Sequence, residues 1–115
     1  MSTAVRAAVS GRQLAHPAPE EIRLHAVLHA LSDPIRLRIV GELADGHRHM
    51  ACTAFGLPVS KSTSTHHFRV LREAGVIRQY YDGTSRMSQL RVDDLEELFP
   101  GLLTAVLGAR KATLS

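Results

Sequence analysis

A chain of 115 residues and 12.6 kDa holds one small domain, and 44% hydrophobic residues suit a globular fold rather than a disordered one. With 4% aromatics and no Trp there is no stacking platform for single-stranded nucleic acid, and the apolar runs are too short to cross a membrane or to direct export. The net charge of +3 is modest but concentrated: Lys61, Arg69, Arg72, Arg78, Arg86 and Arg91 meet only Glu73 and Asp82 between 61 and 91, leaving the rest slightly acidic.

Residues 1–19 are rich in Ala, Ser and Gly, end in His16-Pro17-Ala18-Pro19, and read as a mobile arm. Residues 20–110 form the expected domain, and 111–115 a tail. From Glu20 to Leu31, Ile22, Leu24, Val27, Leu28 and Leu31 recur at helical spacing, with Glu20 and Glu21 in the first turn. Ser32-Asp33-Pro34 then restarts the chain: a capping side chain before a proline opens a helix over 35–43 that ends near Asp45-Gly46. The stretch from His47 to Phe55 carries no clear period, and Gly56-Leu57-Pro58-Val59 is a turn.

Ser60 caps the most informative segment, which runs from Lys61 to Ala74 and stops at Gly75. At about 100° per residue, Phe68, Val70, Leu71 and Ala74 share one arc, with Ser64 and His67 inside it. Lys61, Ser62, Thr65, His66, Arg69 and Arg72 fall opposite. Short polar and basic side chains on an exposed helical face suit the DNA major groove, where Ser62, Thr65 and His66 lie nearest the bases and the arginines reach a guanine edge or phosphate. Val76 to Tyr81 and Arg86 to Val92 read as strands around Asp82-Gly83-Thr84-Ser85, a hairpin with Arg86 at its tip. Residues 93–99 open a short helix that Pro100-Gly101 interrupts. Leu102, Leu103, Val106 and Leu107 then stripe a last helix; it covers either a partner subunit or the chain's own first helix.

Two runs, Ala30-Leu31-Ser32-Asp33-Pro34-Ile35-Arg36-Leu37-Arg38-Ile39-Val40 and Leu71-Arg72-Glu73-Ala74-Gly75-Val76-Ile77, resemble the ArsR/SmtB family of bacterial winged helix-turn-helix repressors. The resemblance covers about Leu24 to Leu107. It implies a mainly α fold with a small β-hairpin wing, dimerised through its first and last helices. Leu24, Leu28, Leu102, Leu103, Val106 and Leu107 would form the dimer interface. The implied function is that of a homodimeric repressor of a palindromic double-stranded operator, released by an effector. Thr53, Pro58 and Ser64 depart from the family pattern and leave the geometry ahead of Ser60 open.

Metal-sensing relatives carry a Cys-x-Cys pair ahead of the helix-turn-helix. Here His47-Arg48-His49-Met50-Ala51-Cys52 stands in its place, so zinc or copper held by His47, His49 and Cys52, with His16 from the arm, competes with a solvated loop around a buried thiol. Cys52 alone is a candidate redox switch if Arg48 or His49 stabilises its thiolate. His25 and His29, at i and i+4, are a further chelating pair or simply surface residues. The relatives' other metal site, on the last helix, needs histidines this chain lacks after His67. His67 itself reads as a core histidine with a local partner. No phosphate loop, activated nucleophile or paired-carboxylate cleft marks an enzyme. A lone cysteine fits a reducing cytoplasm. A winged helix used only to bind protein is the competing reading, and the basic face of 61–72 weighs against it.

Overall fold

The computed structural model describes residues 14–46 and 49–114. In chain order they form a 3-10 turn (Pro19–Glu21), α1 (Leu24–Leu31), α2 (Pro34–Ala44), β1 (His49–Ala51), a 3-10 turn (Cys52–Phe55), α3 (Lys61–Ala74), β2 (Ile77–Asp82), β3 (Ser85–Leu90), α4 (Val92–Leu98) and α5 (Leu102–Leu114). The architecture is mainly helical with a small antiparallel sheet of order β1-β3-β2.

The helix starts follow from their caps. The Asp33 carboxylate accepts from the Ile35 and Arg36 amides at 2.8 and 3.1 Å, with Pro34 at the first helical position. Burial pushes this carboxyl up, but the two amide bonds together with the His67 and Arg36 charges outweigh it and leave it below its ordinary pKa. The Ser60 hydroxyl accepts from the Thr63 amide at 3.2 Å and opens α3 in the same way. At the far end Gly75 takes φ +88°, its amide donates to the Arg72 carbonyl, and the Val76 amide reaches back to the Leu71 carbonyl at 3.0 Å. That paired closure needs a left-handed residue, which glycine supplies without strain. The chain leaves it directly into β2.

The core lies between the helices and one sheet face. Ile39 and Val40 of α2, Phe68 and Leu71 of α3, and Val76 and Ile77 at the start of the sheet are essentially buried. Phe55, from the second 3-10 turn, meets Phe68 edge to face at 5.3 Å.

Several elements differ from the sequence expectation. The helix expected from Glu20 begins at Leu24, because the chain is extended at Ile22 and Arg23 while Ile22 inserts into the core against Gly75. The segment without a clear period contains β1, whose Met50 pairs with Ser88, followed by a single 3-10 turn. The hairpin strands are offset from the expected limits by one or two residues. Asp82 pairs with Ser85 across a tight turn in which Gly83 takes φ +64°. The last helix continues to Leu114 through most of the expected tail.

Residues 14–17 lie along the free edge of β2. The Leu14 amide donates to the Gln79 carbonyl at 3.3 Å, His16 Nε2 accepts from the Gln79 amide at 2.7 Å, and Arg91 donates to the Pro17 carbonyl at 2.9 Å. This part of the expected mobile arm is thus a strap; residues 1–13 are outside the described residues.

Candidate DNA-binding surface

The outer face of α3 carries Lys61, Ser62, Thr65, His66 and Arg69, all exposed. None of these side chains has an ion-pair partner among the described residues, and only Ser62 has a side-chain hydrogen bond, to Ser60 at 3.3 Å. The expected outward set is corrected at Arg72. Its side chain is half-buried where α3 meets the sheet, and Nη1 donates to Gln79 Oε1 at 2.7 Å. Burial lowers its pKa, with the nearby Arg86 charge acting in the same direction.

Gln79 is fully buried and joins four segments. Its Oε1 takes the Arg72 guanidinium, and its Nε2 donates to Ser88 Oγ at 3.2 Å and to Cys52 Sγ at 3.5 Å. Its backbone amide and carbonyl are taken by the strap. A buried amide with every group paired holds α3, the 3-10 turn and the hairpin in one register.

Arg36 fixes α3 from the opposite side. It is 7% exposed; Nε donates to the Ala30 carbonyl at 2.7 Å and Nη2 to the His29 carbonyl at 3.3 Å, capping the last turn of α1. Its Nη1 lies 3.1 Å from His67 Nδ1. A guanidinium only donates, so in this contact Nδ1 is the acceptor. His67 is buried, as expected of a core histidine, but its partner is not local: Arg36 comes from α2, and the Asp33 carboxylate lies 3.8 Å from the same ring nitrogen. A charged residue on a helix gives no local sign of such burial, so Arg36 was not legible as a structural residue.

On the hairpin, Arg86 is half-buried, donates to Tyr81 Oη at 2.5 Å and places its guanidinium 5.2 Å from the Tyr81 ring centroid. Arg78 and Arg91 both contact Asp94, Arg91 through Nε and Nη2 at 2.9 Å. The basic charge available to a partner is therefore concentrated on α3 and the hairpin tip, a narrower area than the 61–91 stretch implied.

The residues considered as metal ligands that lie among the described residues are not brought together. His16 is bound to Gln79, His49 Nδ1 lies 2.6 Å from Tyr80 Oη, and Cys52 faces Ser88 and Gln79. His47, and Arg48 beside it, are outside the described residues. Among the described residues no three His, Cys, Asp or Glu side chains form a metal-holding group. Burial pushes the Cys52 thiol up, away from the thiolate a redox switch needs. Burial also lowers the His16 pKa to about 4, aided by the charges of Arg78, Arg91 and Arg72.

Of the residues expected at a dimer seam, Leu24 and Leu28 stand 46% exposed one turn apart on α1. Leu102, Val106 and Leu107 are partly buried against the core. Leu103 is corrected: at 7% exposure it belongs to the chain's own core. The last helix packs on α2, where the Arg110 guanidinium lies over Gly41.

A helix-turn-helix domain family matches residues 31–80, the span from the end of α1 to the middle of β2. The HTH-type transcriptional regulator YceK of Bacillus subtilis is 33% identical over 79 residues, covering 67% of this chain and 79% of that protein. A solved ArsR family transcriptional regulator superposes with a TM-score of 0.59 at 19% identity, covering 79% of this chain and 94% of its own. The transcriptional repressor BigR from Xylella fastidiosa superposes at 0.52 and 22% identity, covering 66% and 85%. These relatives are regulators rather than enzymes, and among the described residues no helix is long and apolar enough to cross a membrane. The chain belongs to the helix-turn-helix transcriptional regulators, a DNA-binding family, and has the winged fold of the ArsR family regulators.

Proposed function

We propose that this chain is a homodimeric repressor acting in the cytoplasm, which binds a palindromic double-stranded operator and leaves it when an effector binds. The observation that carries this reading is the exposed polar and basic face of α3, standing beside the Arg86 cation of the hairpin. Lys61 and Arg86 contact phosphates, while Ser62, Thr65, His66 and Arg69 face base edges. Arg72 acts mainly by holding α3 to the sheet, with a phosphate contact as its secondary role. Dimerisation through Leu24 and Leu28 on α1, with Leu102, Val106 and Leu107 on α5, is supported by the exposed leucine pair, and a two-fold dimer matches a palindromic site.

The test is capture of genomic DNA fragments by the purified protein under reducing and chelating conditions, followed by binding of the recovered site to an Arg69→Ala variant. A discrete palindromic site is expected, with the exposed Arg69→Ala weakening binding by about 1–3 kcal/mol while thermal unfolding is unchanged. Wild-type affinity in that variant would overturn the recognition face. Capture that is weak, salt-sensitive and indifferent to sequence would favour a winged helix used for protein interaction.

A further inference from the structure

Between the second 3-10 turn with the loop that follows it, the first half of α3, and the tip of the hairpin lies a cavity of about 680 Å³. That volume is within the range of about 300–1,000 Å³ typical of small-molecule sites. We propose that this cavity binds a small amphipathic carboxylate, and that the bound acid competes with DNA for Lys61 and Arg86. The regulatory half of the proposal rests on the DNA-binding reading; the binding half does not.

The cavity has two chemical regions. Ala51, Leu57, Val59 and Phe68 make an apolar wall. Lys61 and Arg86 bring two cations to it, from α3 and from the hairpin. No acidic side chain lines it, and neither cation has a carboxylate partner among the described residues. The hydroxyls of Ser64 and Thr65 on α3, with Thr84 and Ser85 on the hairpin, add donors and acceptors between the two regions.

This division selects the ligand class. Inorganic phosphate or a backbone phosphodiester satisfies the cations but leaves the apolar wall wet. A neutral hydrocarbon fills the wall but leaves two cations uncompensated. A carboxylate on a hydrocarbon body does both, through charge-assisted hydrogen bonds at one end and apolar burial at the other. Its location couples it to DNA without any relayed movement, since the same two cations serve both ligands, and the coupling is reciprocal.

The test uses the full chain, with octanoate, 1-octanol and inorganic phosphate as probes in calorimetric titrations without DNA. Octanoate is expected to saturate at one per chain, with 1-octanol and phosphate each weaker by about tenfold or more. Val59→Phe fills the cavity from the loop and lies off the DNA-facing set. It is expected to lower octanoate affinity by about tenfold or more while circular dichroism and melting temperature stay near wild type. Arg86→Gln is expected to bring octanoate down toward 1-octanol. Absence of saturable octanoate binding, equal affinity for octanoate and 1-octanol, or wild-type affinity in both variants overturns the site. On the captured operator, octanoate at ten times its Kd is expected to weaken DNA binding about tenfold. Unchanged DNA affinity there overturns competition alone. A chain that takes octanoate but binds no specific DNA keeps the site and removes the operator reading.

Discussion

Replacing Gly75 by alanine tests the junction between α3 and the hairpin. Gly75 sits at φ +88°, where an L-residue is strained by about 1–2 kcal/mol. A Cβ there meets Ile22 Cδ1 and Cγ1 at 2.6 Å and Cγ2 at 3.3 Å, and Ile22 is 5% exposed with little room to yield. Overpacking of this kind costs about 1–3 kcal/mol, and the stiffer unfolded chain returns about 0.4–1 kcal/mol. The expected net loss is about 1–5 kcal/mol, or roughly 4–30 °C in melting temperature for a domain of this size. Urea unfolding followed by circular dichroism measures it. The double variant with Ile22→Ala separates strain from clash: removing the isoleucine should recover about 1 kcal/mol or more relative to additivity. A single-variant loss under about 0.5 kcal/mol, the level of an ordinary surface change, would refute the argument. Strict additivity in the double variant would refute the contact with Ile22.

Arg36→Met should cost about 2–4 kcal/mol by urea unfolding, because the Ala30 carbonyl and His67 Nδ1 lose a buried donor; a loss under about 1 kcal/mol would show that water or another side chain replaces it. Arg36→Lys should recover only part of this loss, since an ammonium cannot reproduce the fork. Asp33→Ala should cost about 0.5–2 kcal/mol at neutral pH. The folded Asp33 pKa is depressed, so this contribution is present above the ordinary value near 4 and is lost as pH falls through the folded value; the gap between wild type and variant should close in acid. For His16 the folded value of about 4 against the ordinary 6.5 means the unfolded chain takes up the proton first on acidification. Its contribution is therefore complete above about pH 6.5 and lost between about 6.5 and 4, with roughly 1–2 kcal/mol expected for a half-buried ring after solvent screening. Melting curves across that window should fall less steeply in His16→Asn, and parallel curves would remove His16 from the pH response.

The helical parts of the fold were legible because their signals are local. Asp33-Pro34, Ser60 and Gly75 punctuate the chain at the observed ends of α2 and α3, and the apolar arc of Phe68, Leu71 and Ala74 is the buried one. What escaped is held by long-range pairing. Three residues of β1 carry too little alternation to announce a strand, and their place is set by the register with Met87, Ser88 and Gln89 of β3. The strap depends on single polar contacts across more than sixty residues, which no periodicity records. The site was partly legible for a related reason. A helical wheel separates Arg69 from Leu71 but does not know that the sheet covers the side on which Arg72 projects. The apolar stripe of α5 likewise does not say that Leu103 turns inward while Val106 is only partly covered. Gln79 and Arg36 were invisible because a polar residue is ordinarily a surface residue, and their burial follows from partners elsewhere in the chain.

The strap along β2 has a consequence for solubility. A hairpin that projects from a small domain ends in a strand edge, and bare amides and carbonyls there invite another chain to add a strand. In this protein the Gln79 amide is occupied by an imidazole and its carbonyl by the Leu14 amide. A ring nitrogen ends the hydrogen-bonded ladder, because it offers an incoming backbone nothing to continue. Without residues 14–16 the inner part of that edge would be left open, and the wing would become the place where copies of the protein stick together.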